Sequence, residues 1–179
     1  MNKKKIFIAV DTNNVSKAKK IIRDTQTKKI EVGYKFGLEF FYSKDGRKFI
    51  SSLKNHKIFL DLKLNDIPNT ISSAMKSLKN LRITYLTVHI SSGLNALKVL
   101  KRESKNIKIA GVTTLTSLND KDLKEIGFNK KVNELVRHQV KLAKKAKLDA
   151  IICSGHEIKS VKKIFNKEVI TPGIKIQNT

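Results

Sequence analysis

Ile58-Phe-Leu-Asp-Leu-Lys-Leu-Asn-Asp-Ile-Pro-Asn-Thr70 is the stretch on which the reading of this chain turns. A strand buried in a parallel sheet is ordinarily a continuous apolar run, and this one is interrupted by charge. The interruption has a period of two. Ile58, Leu60, Leu62 and Leu64 face one way, suited to packing beneath helices, while Phe59, Asp61 and Lys63 point to the opposite side. Backbone geometry sets the two ionised residues roughly 7 Å apart along the strand. Burying such groups costs several kcal/mol each, about as much as a whole hydrophobic contact contributes, unless they are paired. A structural salt bridge is the plain explanation for Asp and Lys at this spacing. Their place at a strand's C-terminal end, beside a third charge at Asp66, favours a functional one.

Working outward, β-rich runs recur at intervals of about 25 to 30 residues on either side of this stretch. They are Ile6–Asp11, Glu31–Phe36, Ile58–Leu64, Tyr85–His89, Lys108–Thr113, Ala150–Cys153 and Val169–Thr171. Helical periodicity fills the intervals: Val15, Ala18, Ile21 and Ile22 share one face, and Leu135, Val136, Val140 and Ala143 repeat the pattern in the longest helix. Strand followed by helix, repeated along the chain, predicts a parallel α/β architecture. A doubly wound nucleotide-binding sheet should carry GxGxxG after its first strand, where this chain reads Asp-Thr-Asn-Asn. Charged or hydroxyl residues instead close successive strands: Asp11, Lys35, Asp61 with Lys63, His89, Thr116, and the loop after Thr171. A (β/α)8 barrel gathers its site at the C-terminal mouth in this way. No linker or low-complexity tract divides residues 1–179, so one barrel domain is expected, with about seven strand-helix units present and the eighth strand missing from this chain.

Composition narrows the class further. The 179 residues, 40% of them hydrophobic, suffice for one sizeable core. No apolar run approaches a membrane span and MNKKK-IFIAV is too short for a signal peptide, so a cytoplasmic protein with no membrane association is expected. The single cysteine, Cys153, leaves no internal disulfide and no zinc-spaced cluster, and no metal is expected. A net charge of +23 suggests nucleic acid at first sight. Its lysines are dispersed over helix faces, its arginines are few and it has no tryptophan, so no specific nucleic-acid partner is expected.

Beyond these physical readings, DLKLNDIPNT at Asp61–Thr70 resembles the DxKxxDIPNT signature of the orotidine 5′-phosphate decarboxylases. Six further segments resemble the same family in order: IAVD ending at Asp11, YKFGLEFF from Tyr34, VHISSG from Val88, GVTTLTS from Gly111, ICSGHE from Ile152 and TPGIK ending at Lys175. The resemblance implies a cofactor-independent lyase converting orotidine 5′-phosphate to UMP and CO2. It implies a charged network of Lys35, Asp61, Lys63 and Asp66, with Lys63 as the proton donor to C6. It also implies a homodimer in which Asp66 and Thr70 reach the partner's site. By the same resemblance Asp11 and Lys35 hold ribose hydroxyls, Thr116 contacts the pyrimidine, and Lys175 meets the phosphate where the family has arginine. Lysine there keeps the charge but lacks the bidentate fork.

The chemistry asks for these residue types. Loss of CO2 leaves a carbanion at C6 with no cofactor to accept its charge, and an ammonium at Lys63 supplies both electrostatic stabilisation and a proton. Asp61 beside the substrate carboxylate adds repulsion of about 4 kcal/mol for charges 4 Å apart at an effective dielectric of 20, relieved as neutral CO2 departs. Two alternatives are kept: a magnesium-dependent sugar-phosphate decarboxylase of the 3-keto-L-gulonate 6-phosphate type, and a basic nucleic-acid-binding protein. Cys153, His156 and Glu157 superficially suggest nucleophile, base and orienter, but Cys153 reads better as a small buried hydrophobe. The sequence also predicts a natural protein that continues past Thr179, since a barrel needs eight strands.

Overall fold

The computed structural model describes residues 5–173. Seven strands, β1 (Lys5–Ala9), β2 (Glu31–Gly37), β3 (Lys57–Leu64), β4 (Tyr85–His89), β5 (Lys108–Val112), β6 (Ala150–Ile152) and β7 (Glu168–Ile170), pair in parallel and in chain order. Helices α1 (Val15–Asp24), α2 (Leu38–Tyr42), α3 (Gly46–Ser52), α4 (Pro68–Ser77), α5 (Gly93–Glu103), α6 (Asp120–Glu125), α7 (Val132–Lys145) and α8 (Ile158–Lys162) fill the connections. Local sequence sets several of their ends. The Asn14 side chain accepts the Lys17 N–H at 3.0 Å to start α1, Pro68 opens α4 where its missing N–H costs nothing, and Asn119 with Asp122 forms a capping box on α6.

The sheet is curled, and side chains on its inner face prove it. Neighbouring strands stand about 4.8 Å apart, so strands three places apart in a flat sheet lie about 14 Å apart. Yet the Phe7 ring of β1 lies 5.4 Å from that of Tyr85 on β4, and the Tyr85 hydroxyl donates to Glu168 on β7. This is the expected barrel geometry, with β1 and β7 at the two ends of the strand order.

Alternation along the strands then divides the core in two. Ile58, Leu60, Leu62, Leu86, Val88, Ile109 and Ile151 pack outward against helix residues such as Ala18, Ile22, Ile71, Leu97, Val136 and Val140. Inside the curl, Phe59, Tyr85, Ala110 and Ala150 meet Phe7, Ile152 and Ile170. Phe7, Phe59 and Tyr85 stack edge-on or tilted with centroids 5.3 to 5.6 Å apart, forming an aromatic floor at the N-terminal end. Gly33 makes room for it: a Cβ there would stand 2.5 Å from the Phe7 ring. The floor fills the inside of the curl near one end, away from the charged residues at the C-terminal ends of β2 and β3.

Beneath the floor, Lys108 contacts Glu168 at 2.5 Å while Tyr85 donates to the same carboxylate. Burial pushes the Tyr85 phenol up to about 12, helped by its bond to Glu168 and that residue's charge and opposed by Lys108. A raised phenol contributes stability that is complete below its ordinary value of 10.0 and is lost as pH rises toward 12. Burial pushes the Glu168 carboxyl up, but bonds from Lys108 and Tyr85 outweigh it and leave the carboxyl low, so its share is lost only in acid. Tyr85→Phe, which keeps the ring, should therefore cost about 1 kcal/mol at neutral pH, the partial exposure of Glu168 discounting a charged hydrogen bond. In denaturant melts the difference between wild type and variant should shrink above about pH 10; a difference constant to pH 12 would contradict the assignment.

Candidate active site

At the opposite end of the barrel, two strands and the loop after a third deliver charge to one point. Lys35 comes from β2 and Asp61 and Lys63 from β3, with Gly37 of β2 paired beside Asp61. Lys63 Nζ lies 2.8 Å from Asp61 Oδ2, and Lys35 Nζ lies 3.6 Å from the same oxygen. Lys35 also stands 3.6 Å from Asp11 Oδ1, just past the end of β1. The Asp61 side chain is only 13% exposed, whereas that of Asp11 is 72% exposed. One shielded carboxylate therefore holds two ammonium groups, and a more open carboxylate shares one of them. At an effective dielectric near 20 each contact is worth roughly 5 kcal/mol of gross attraction, much of it offset by desolvation and by repulsion between the two lysines.

The ladder between β3 and β4 does not run unbroken to its end. Phe59 pairs with Tyr85 and Leu60 with Leu86, but the next pairing is Leu64 with Val88, so three β3 residues stand opposite Thr87 alone. Lys63 sits in this bulge with a φ of 48°, a left-handed conformation that side-chain-bearing residues seldom adopt. Such strain costs of order 1 kcal/mol or more and persists where the surroundings impose it. The Thr87 hydroxyl accepts the Lys63 backbone N–H at 2.7 Å and donates to Asp61 Oδ1 at 3.0 Å. Sequence reading missed Thr87. Its signal was present: a hydroxyl on the inward side of a buried strand, two residues before His89.

His89, at the end of β4, faces the same network. Burial pushes its imidazole below the ordinary value, the Lys63 cation pushes the same way, and Asp61 opposes them. The other anticipated residues stand apart from this cluster. Asp66 lies exposed in the turn before α4, its Oδ1 accepting the Ile67 N–H at 2.7 Å, and Thr70 is exposed in the first turn of that helix. Ser92 holds the turn by donating to Asn65 Oδ1 at 3.0 Å. Thr116 is exposed in the loop between β5 and α6. Lys175 lies outside the described residues.

In the trio after β6, Cys153 and Glu157 have structural places and His156 is exposed. Cys153 is buried in the main core, its thiol pushed up to about 11 by burial and the charge of Glu157. Glu157 caps its own turn, accepting the Ser154 N–H at 2.9 Å. Among the described residues, no three His, Cys, Asp or Glu side chains converge in a metal-binding arrangement, and no helix is long and apolar enough to cross a membrane.

Fold and site together define a barrel protein of the (β/α)8 type, with a lysine-carboxylate-lysine cluster at the C-terminal ends of adjacent strands. Residues 4–179 match the family model described as Orotidine 5'-phosphate decarboxylase / HUMPS family. Orotidine 5'-phosphate decarboxylase of Carboxydothermus hydrogenoformans is 38% identical, over 96% of this chain and 75% of that protein. The protein of the same name from Bacillus cereus is 37% identical, over 96% and 76%. Among solved structures, orotidine 5'-phosphate decarboxylase from Lactobacillus acidophilus superposes with a TM-score of 0.86 at 33% identity, covering 95% of this chain and 81% of that one. The Methanocaldococcus jannaschii enzyme, solved with the inhibitor BMP, gives 0.79 at 26% identity, covering 99% and 81%. This chain belongs to the orotidine 5′-phosphate decarboxylase / HUMPS family.

The proximity of His89 to the cluster is directly measurable. Because Lys63 lowers its titration and Asp61 raises it, Lys63→Met should move the His89 imidazole titration upward in NMR and Asp61→Asn should move it further downward. Shifts of the opposite sign would show that His89 does not sense these charges. Above pH 6.5 the neutral imidazole leaves stability intact; as pH falls through the depressed value, protonation of the unfolded chain draws stability away.

Proposed function

We propose that this chain decarboxylates orotidine 5′-phosphate to UMP, as a step of pyrimidine synthesis in the cytoplasm. The observation that carries the reading is the Lys63 ammonium held 2.8 Å from Asp61 in a chain of this family. The substrate carboxylate would lie beside Asp61 and its C6 beside Lys63. As the bond from C6 to the carboxyl carbon breaks, the electron pair stays on C6 and neutral CO2 leaves. Lys63 stabilises that pair before the proton arrives, then transfers a proton from Nζ to C6; solvent reprotonates the amine. A preorganised cation needs no solvent rearrangement at the moment charge develops, which is why a fixed lysine serves better than water.

Remaining roles follow the same reading. Asp11 and Lys35 hold the ribose hydroxyls, Thr116 contacts the pyrimidine and Lys175 the phosphate, so that binding energy from the unreactive parts supports crowding of two carboxylates at the reacting end. Asp66 and Thr70 serve the partner's site in a homodimer, which accords with their exposure on a turn and helix beyond the end of β3. The matched family is broader than orotidine 5′-phosphate decarboxylase alone, and a magnesium-dependent sugar-phosphate decarboxylase is the second reading.

Loss of orotate absorbance from orotidine 5′-phosphate, undiminished by a chelator, is the expected behaviour. Turnover that needs magnesium, or none with this substrate, would favour the second reading. Lys63→Ala should lower turnover by several orders of magnitude in a protein that melts normally; near-normal turnover would sink the mechanism. Mixed Lys63→Ala and Asp66→Ala subunits, each inactive alone, should recover activity, since one site of the heterodimer escapes both lesions. No recovery after confirmed subunit exchange counts against shared sites.

A further inference from the structure

We propose that Thr87 is a positioning residue for the reaction, one that never touches substrate yet fixes the geometry of both Asp61 and Lys63. The proposal rests on the decarboxylase reading given above. Thr87 is completely buried, so its hydroxyl meets no bound molecule and its hydrogen bonds are not shared with solvent. A hydroxyl has one proton to give and lone pairs to receive. Here the proton goes to Asp61 Oδ1 at 3.0 Å, and a lone pair receives the Lys63 N–H at 2.7 Å.

Each bond has a distinct consequence. Holding Oδ1 leaves Oδ2 as the oxygen presented to both ammonium groups, at 2.8 Å from Lys63 and 3.6 Å from Lys35. Without the Thr87 donor, the carboxylate is free to rotate about its terminal torsion, which is intrinsically broad. The second bond replaces a ladder pairing. The bulge removes Lys63 from register with β4, and its N–H would otherwise be left without a partner in a partly buried strand. Thr87 satisfies that N–H and holds the main chain at its φ of 48°. On its other side Thr87 is anchored by the pairing of β4 with β5, where it stands opposite Ala110. One side chain thus transmits the rigidity of the sheet to the two charges whose relative position the chemistry needs. Displacements near 1 Å at a reacting centre cost on the order of 100-fold in rate.

Thr87→Val conserves shape and removes both bonds; Thr87→Ser restores the hydroxyl. With orotidine 5′-phosphate, Thr87→Val should lose about 100-fold in kcat with KM changed less than about threefold, because remote binding groups are untouched. Thr87→Ser should recover most of that loss. Hydrogen exchange at the Lys63 amide should accelerate at least about tenfold in Thr87→Val while amides in the middle of β5 keep their protection. If Thr87→Val does not fold, Thr87→Cys, with a weak donor and acceptor, takes its place with the same expectations. Full turnover in the hydroxyl-free variant, or equal losses in it and in Thr87→Ser, would overturn the proposal. Wild-type protein without decarboxylase activity would sink the decarboxylase reading instead, and the Lys63 amide would then test the contact by itself: unchanged exchange in Thr87→Val rejects it.

Discussion

The attraction of two lysines to one shielded carboxylate is the constraint around which the mouth of this barrel is arranged. Asp61 cannot occupy its partly buried place unpaired, because the desolvation of a lone carboxylate exceeds what packing near it supplies. Lys63 on the same strand and Lys35 on the next meet that requirement. With Asp11 sharing Lys35, two lysines stand against two carboxylates, and a barrel is suited to holding such a cluster. Its aromatic floor of Phe7, Phe59 and Tyr85 fills the interior at one end, so the charged groups are supported from below by rigid packing and face outward at the other. Aromatic packing and the charged cluster thereby occupy opposite ends of the same strands.

The bulge in β3 shows what that arrangement demands of the backbone. An unbroken ladder would place Asp61 and Lys63 on the inward face with separate partners on β4. Instead both are gathered about Thr87, and Lys63 accepts a left-handed conformation to do so. Left-handed backbone also occurs at Lys105 and Lys147, but at Lys63 it falls on a residue of the charged cluster, and strain of this kind is associated with functional sites. The neighbouring turn is tethered separately, through Asn65 and Ser92, which leaves Asp66 and Thr70 presented on the surface rather than folded into the cluster.

Much of this was legible in the sequence, and the reasons differ by residue. The seven strands were visible because parallel strands buried beneath helices are apolar, β-branched and regularly spaced. Asp61 and Lys63 stood out because charge inside such a run demands an explanation, and period-two alternation correctly put both with Phe59 on the inward side. Strand ends shifted slightly: β1 stops at Ala9, so Asp11 approaches Lys35 from the following loop. The bulge was not legible, because left-handed backbone is marked in sequence by glycine or asparagine and here falls on a lysine. Nor was the bond of Tyr85 to Glu168, whose partners are 83 residues apart and meet only once the sheet curls. Gly33 makes space for Phe7, a contact between neighbouring strands that carries no signal in the sequence. The excess of lysine, dispersed over helix faces, describes the surface rather than the site.

On the proposed function, the cluster around Asp61 stabilises negative charge at one point of a bound pyrimidine. Calorimetric titration with two nucleotides that differ only there tests it most directly: UMP, neutral at C6, against a monophosphate analogue bearing an anionic oxygen at that position. The anionic analogue should bind at least about 100-fold more tightly, as transition-state mimics do, and Lys63→Ala should erase most of the difference while leaving UMP affinity nearly unchanged. Equal affinities for the two nucleotides in the wild-type protein would contradict it.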